Sequence, residues 1–113
     1  MYSLTSANRY YLYQGFVRMN LGIDGLFKII RSEMKDLSPV SGDIFLFFGK
    51  NRQSVKILRW DGDGFLLYYK RLEGGSFELP TFNPNTGNYE ISYQFVFYLK
   101  WSVIKVCTVE KTF

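Results

Sequence analysis

Histidine is missing from this 113-residue chain, cysteine occurs once and proline three times. Without histidine the commonest general base is gone, and with it the usual partner of a serine or cysteine nucleophile, so hydrolytic triads are excluded. The single thiol, Cys107, cannot form an intrachain disulfide, and no Cys/His spacing resembles a zinc site. Cys107 stands among Val106, Thr108 and Val109, where a packed, inert thiol is the default, and a reducing cytoplasm fits the cysteine usage. No apolar run approaches the ~18 residues of a membrane span, and "MYSLTSANRYYLYQG" has no cationic region leading into an apolar one. The expectation is a chain neither exported nor membrane-spanning. "GIDGL" and "LEGGS" lack the spacing of a Walker or dinucleotide loop.

Aromatic rings are abundant instead: eleven phenylalanines, nine tyrosines and two tryptophans. That is more ring area than the centre of a small domain usually encloses, so some rings are expected at an interface or groove, and a partner follows. The formal charge of +4 and pI near 9.2 permit contact with a polyanion but describe no dedicated basic arm. The length suits one domain, residues 1–113.

Along the chain, "YYLY" (10–13) reads as a first strand that stops at Gly15. From Leu21 to Met34 the apolar residues step by three to four, with Lys28, Arg31, Glu33 and Lys35 on the other side, which predicts an amphipathic helix. Asp24 caps or charge-stabilises its start, and Pro39 ends it. "SGDIFLFFG" (41–49), "SVKILRW" (54–60) and "GFLLYYKR" (64–71) then form a three-strand meander through the turns "GKNRQ" and "DGDG". With Asp61 and Gly62 as a two-residue loop, Leu58 faces Phe65 and Lys56 faces Leu67. Consecutive apolar residues in Ile44–Phe48 and Phe65–Tyr69 ask for cover on both faces of the sheet. The helix supplies one cover, and the first strand, the segment after Pro80 or a second molecule the other. Residues 81–88 read as a loop; from Ile91 to Val103 every odd position is apolar, a strand pattern, though Phe95, Tyr98 and Leu99 also share one helical face.

The stretch "KNRQSVKILRWDGDGFLLYYKR" concentrates the chemistry. Lys50, Arg52, Lys56, Arg59, Lys70 and Arg71 surround Trp60, Tyr68 and Tyr69, a composition suited to phosphate contacts with stacking. The same composition describes a solvated sheet edge protected by lysines. Strand alternation divides the six cations between two faces, so fewer than six act together. Asp61 and Asp63 have the residue types of a carboxylate pair that holds Mg²⁺, with Asp24 or Glu73 as a third ligand. An Asp-Gly-Asp-Gly hairpin requires the same residues for backbone reasons alone, and the turn reading is preferred.

"RYYLYQGFVRMN", "GIDGL", "SGDIFLFFGKNR" and "VKILRWDGDGFLLYYKRLEGGSFELP", taken in this order and spacing, resemble the TnpB accessory proteins of the IS-66 group of bacterial insertion sequences. The resemblance covers roughly residues 8–80 and is tightest at Lys56, Trp60, Asp61 to Gly64 and Tyr68 to Arg71. It implies a small bacterial protein encoded beside a separate transposase and needed for efficient movement of the element, not the strand-cutting enzyme. The RNA-guided nucleases that share the TnpB name are unrelated. Members of the group end in a short helix and a basic tail, which draws 91–103 toward helix, whereas "VCTVEKTF" is poor in lysine and arginine.

The expectation is therefore an α+β fold: an antiparallel sheet of about four strands, one main helix packed across a face, and a short C-terminal helix or strand. The core is placed at 8–80, with 89–113 as a C-terminal segment. The functional expectation is a non-enzymatic, cytoplasmic transposition accessory protein without cofactor or metal. Its candidate phosphate contacts are Arg9, Arg18, Lys50, Arg52, Lys56, Arg59, Lys70 and Arg71, and its candidate interface rings Trp60, Tyr68 and Tyr69. The expected partners are the transposase of the same element, element-end DNA and a second copy of the chain. The rivals are a protein-interaction adaptor that never touches DNA and a metal-dependent nuclease using Asp61 and Asp63.

Overall fold

The computed structural model describes residues 7–34, 36–79, 90–91 and 106–112. The elements run β1 (Tyr10–Phe16), α1 (Ile23–Glu33), β2 (Ile44–Phe48), β3 (Ser54–Trp60), β4 (Phe65–Arg71), β5 (Glu90–Ile91) and β6 (Val106–Thr112). All the strands share one sheet in the order β5-β1-β2-β3-β4-β6. The expected four strands form its centre, and two further strands flank them.

The sheet is mixed, a correction to the expected antiparallel one, because β1 runs parallel to β2 with Tyr10 opposite Ile44 and Leu12 opposite Leu46. The stretch 17–43 between them carries α1, and a parallel pair requires a crossover of this kind. β1 also passes Gly15 and ends at Phe16, with an irregular register between Leu12 and Phe16. β2, β3 and β4 form the expected meander.

Its second turn is centred one residue beyond the expected position. Asp61 N–H donates to the Gly64 carbonyl at 2.7 Å, Gly62 has φ +83°, and Trp60 lies opposite Phe65. Gly62 is thus the first central residue of a Gly62–Asp63 loop, where a hairpin turn accepts positive φ most readily from glycine. Leu58 faces Leu67 and Lys56 faces Tyr69; the register moves by two residues, so every side chain keeps its expected face.

α1 is shorter than expected at both ends. Its N-cap is Gly22, without a side-chain capping bond, so Asp24 contributes charge in the first turn rather than a cap. The helix stops at Met34, well before Pro39, and Asp36 follows with φ +69°. Aspartate tolerates this left-handed conformation better than most residues, which makes it the local stop signal.

Both faces of the sheet are covered. Leu26 and Ile30 of α1, with Met34 directly after the helix, bury against Tyr11, Phe45, Phe47, Leu58 and Leu67. Complete burial of a side chain such as Leu26 or Ile30 contributes about 1.5–3 kcal/mol. The opposite face carries Tyr10, Leu12, Ile44, Leu46, Phe48, Val55, Ile57 and Tyr68, with Leu72 and Phe77 packed on it. The cover within the described residues therefore comes from the segment before Pro80. Phe77 N–H donates to the Arg52 carbonyl at 2.7 Å and its ring meets Phe48 edge-on at 5.6 Å. The helix-or-strand alternatives for 91–103 and the loop at 81–88 fall, apart from Ile91 in β5, outside the described residues. The tail segment 106–112 is an edge strand on β4, with Lys70 opposite Cys107.

Candidate nucleic-acid interface at one end of the sheet

Strand directions decide which cations can act together. β1, β2 and β4 finish at the end of the sheet where β3 begins, so the loops at 17–22 and 49–53 and the end of β4 all gather there. This brings Arg18, Lys50, Arg52 and Arg71 to one end, all exposed. Asp24, Glu73 and Glu78 are the acids of the neighbouring segments, Glu78 following Phe77, whose N–H bonds the Arg52 carbonyl. The opposite end holds Asp36, Asp43, Asp61 and Asp63, all beside turns, together with the exposed Arg9. Among the described turns and loops the charges are thus polarised along the strands, a property invisible in a net charge of +4.

Two of the expected phosphate contacts lie inside the protein, which is a correction. Lys56 is 8% exposed: its Nζ donates to the Leu21 carbonyl at 2.7 Å and lies 5.4 Å from the centre of the Tyr69 ring. Lys70 is 1% exposed, on the other face, with Nζ 5.7 Å from the centre of Phe77. A buried ammonium needs such partners, and one engaged with them presents no charge at the surface. Arg59 is half-buried on β3.

The expected interface rings are also largely internal. Tyr68 is buried in one core cluster. Trp60 packs against the other and meets Phe65 edge-on at 5.0 Å. Half-buried Tyr69 carries Lys56 over its face and has its hydroxyl 3.5 Å from Ser54 Oγ.

Between the two loops at the cationic end lies an open groove of about 840 Å³, walled by residues 16–20 on one side and 49–51 on the other. Backbone bonds fix both walls: Val17 N–H to the Phe48 carbonyl at 2.9 Å, Leu21 N–H to Arg18 at 3.1 Å, Gly49 N–H to Ser54 at 3.0 Å and Arg52 N–H to Gly49 at 2.9 Å. Asn51 Oδ1 accepts from Gln53 N–H at 3.0 Å, closing the second loop. Gly49 forms part of the floor, where an added Cβ would stand 3.3 Å from Met19 Cγ and crowd it. Arg18 and Lys50 were candidates from sequence; Phe16, Asn20 and Gly49 were not. The block "GFVRMN" contains the signal, but only the parallel pairing of β1 with β2 sets it beside "GKNRQ".

The acid pair of the second turn is remote from this groove. β3 separates them, and seven residues of strand span about 20 Å. Asp24 and Glu73, the conceivable third ligands, lie at the groove end rather than beside the turn. No group of three or more His, Cys, Asp or Glu residues placed to hold a metal ion occurs among the described residues.

A family model described as IS66 Orf2 like protein matches residues 8–103. The chain belongs to that family. An IS66 Orf2-like protein is associated with an insertion sequence, in agreement with the resemblance seen in the strand and turn blocks. This family member is similar to the uncharacterized protein y4jC of Sinorhizobium fredii, at 37% identity over 59 residues that make up 52% of this chain and 50% of that protein. It is also similar to the uncharacterized protein y4hO of the same organism, at 32% identity over 73 residues, 65% of this chain and 63% of that one. The matched region thus spans half of the first relative and less than two thirds of the second. No solved structure matches. Among the described residues, no helix is long and apolar enough to cross a membrane.

Proposed function

We propose that this IS66 Orf2-like protein is a non-enzymatic accessory factor in transposition that holds element DNA at the cationic end of its sheet while a separate transposase performs the strand chemistry. One observation carries the reading: Arg18, Lys50, Arg52 and Arg71 converge at one end, with the turn acids at the other. A polarised surface presents its positive pole to a polyanion and turns its negative pole away. Phosphate contact by these cations releases counterions, so binding weakens steeply with salt.

Gel-shift titration of the intact chain with element-end DNA at several salt concentrations tests this. Engagement of the four exposed cations gives a log–log salt slope of about −3 to −4, and the double variant Arg18→Ala/Lys50→Ala makes it shallower by about 2. Binding that is indifferent to salt, or no binding at all, rejects the DNA role. Co-purification with the transposase in that event would make the protein an adaptor.

A further inference from the structure

Phe16 is half exposed, at 50%, although every other described residue of β1 with an aliphatic or aromatic side chain packs in or against a core cluster. Beyond the irregular register Phe16 is the last paired residue of β1, opposite Phe48, and the bond from Val17 N–H to the Phe48 carbonyl fixes the chain after it. A lone exposed ring needs no explanation. This one forms part of the groove wall with Arg18 and Lys50, and among the described residues no acid lines that groove.

We propose that the groove binds an unpaired nucleotide of a DNA single strand, with its phosphate between Arg18 and Lys50 and its base stacked on Phe16; this rests on the DNA-binding reading above. The ring decides the occupant. In a duplex both faces of each internal base are taken by its neighbours, so an aromatic side chain finds a partner only where a base is unstacked. Two cations without an aromatic face would suit any phosphate, and a ring without cations would suit any apolar partner. Their combination in an open groove of about 840 Å³, within the ~300–1,000 Å³ of ordinary ligand sites, has the charge a nucleotide requires and room to admit one. The Asn20 amide on the same wall can donate to phosphate or to a base edge. Because the walls are held by backbone bonds, little ordering remains to oppose binding.

The test uses the intact chain and fluorescence anisotropy with a labelled oligo-dT strand and a labelled duplex of equal length. Phe16→Ala is expected to weaken single-strand binding about tenfold or more and to leave duplex binding within about twofold, since stacking supplies roughly 1–3 kcal/mol per base. Phe16→Trp retains single-strand binding, and its added indole fluorescence is quenched when oligo-dT binds. If wild type binds duplex with the expected salt dependence but Phe16→Ala leaves the single-strand affinity unchanged, or the indole of Phe16→Trp stays unquenched, the stacking site is rejected and the accessory reading stands. Wild-type protein that binds neither probe rejects both.

Discussion

The Lys56 ammonium lies 2.7 Å from the Leu21 carbonyl and beneath the loop that forms one wall of the groove. Its value is structural: the bond ties the loop between β1 and α1 to the third strand. Lys56→Met keeps the apolar stem but removes the donor, and is expected to cost roughly 1–3 kcal/mol, seen as a lower urea midpoint at unchanged slope. Lys50→Ala, on an exposed loop, should move the same midpoint by less than about 0.5 kcal/mol while weakening DNA binding. Arg52 separates stability from binding differently. It is exposed and has φ +58°, a left-handed conformation that costs a residue with Cβ about 1 kcal/mol relative to glycine. Arg52→Gly is therefore expected to be no less stable than wild type, within about 1 kcal/mol, yet to bind DNA less tightly. A variant that loses stability and retains affinity would remove Arg52 from the interface.

At the scale of elements, the second hairpin and the helix invite different tests. Gly62 holds φ +83° at the first central position of its turn, so Gly62→Val should destabilise by about 1–2 kcal/mol in chemical denaturation. The two turn acids sit about 20 Å from the groove. Asp61→Asn/Asp63→Asn is expected to leave element mobility at the wild-type frequency in a transposition assay. Magnesium-dependent cleavage by purified protein, lost in that variant, would restore the nuclease reading. Leu26, fully buried beneath α1, anchors the helix to the sheet, and Leu26→Ala should cost about 2–5 kcal/mol. Much at this scale was legible in sequence. The run "IFLFF", buried at every position, announces a strand covered on both faces, and the apolar steps from Leu21 to Met34 announce a helix covering one. The helix end was not legible from Pro39, because Asp36 turned the chain first.

For the whole molecule, the quantity that matters is the distribution of charge rather than its sum. Composition and periodicity by themselves determined the helix, the meander, the absence of histidine chemistry and the pool of candidate cations, because each depends on residues close together in the chain. Local alternation also showed that the basic hairpin divides between two faces, but not that Lys56 and Lys70 would both be enclosed. Only the tertiary structure decided that β1 lies parallel to β2. That pairing sets Phe16 and Arg18 beside Lys50, residues separated by the whole helical crossover, and sends the turn acids to the far end of β3. Strand direction is a choice between distant segments, made by how the crossover helix packs on the sheet. No property of either segment alone contains it.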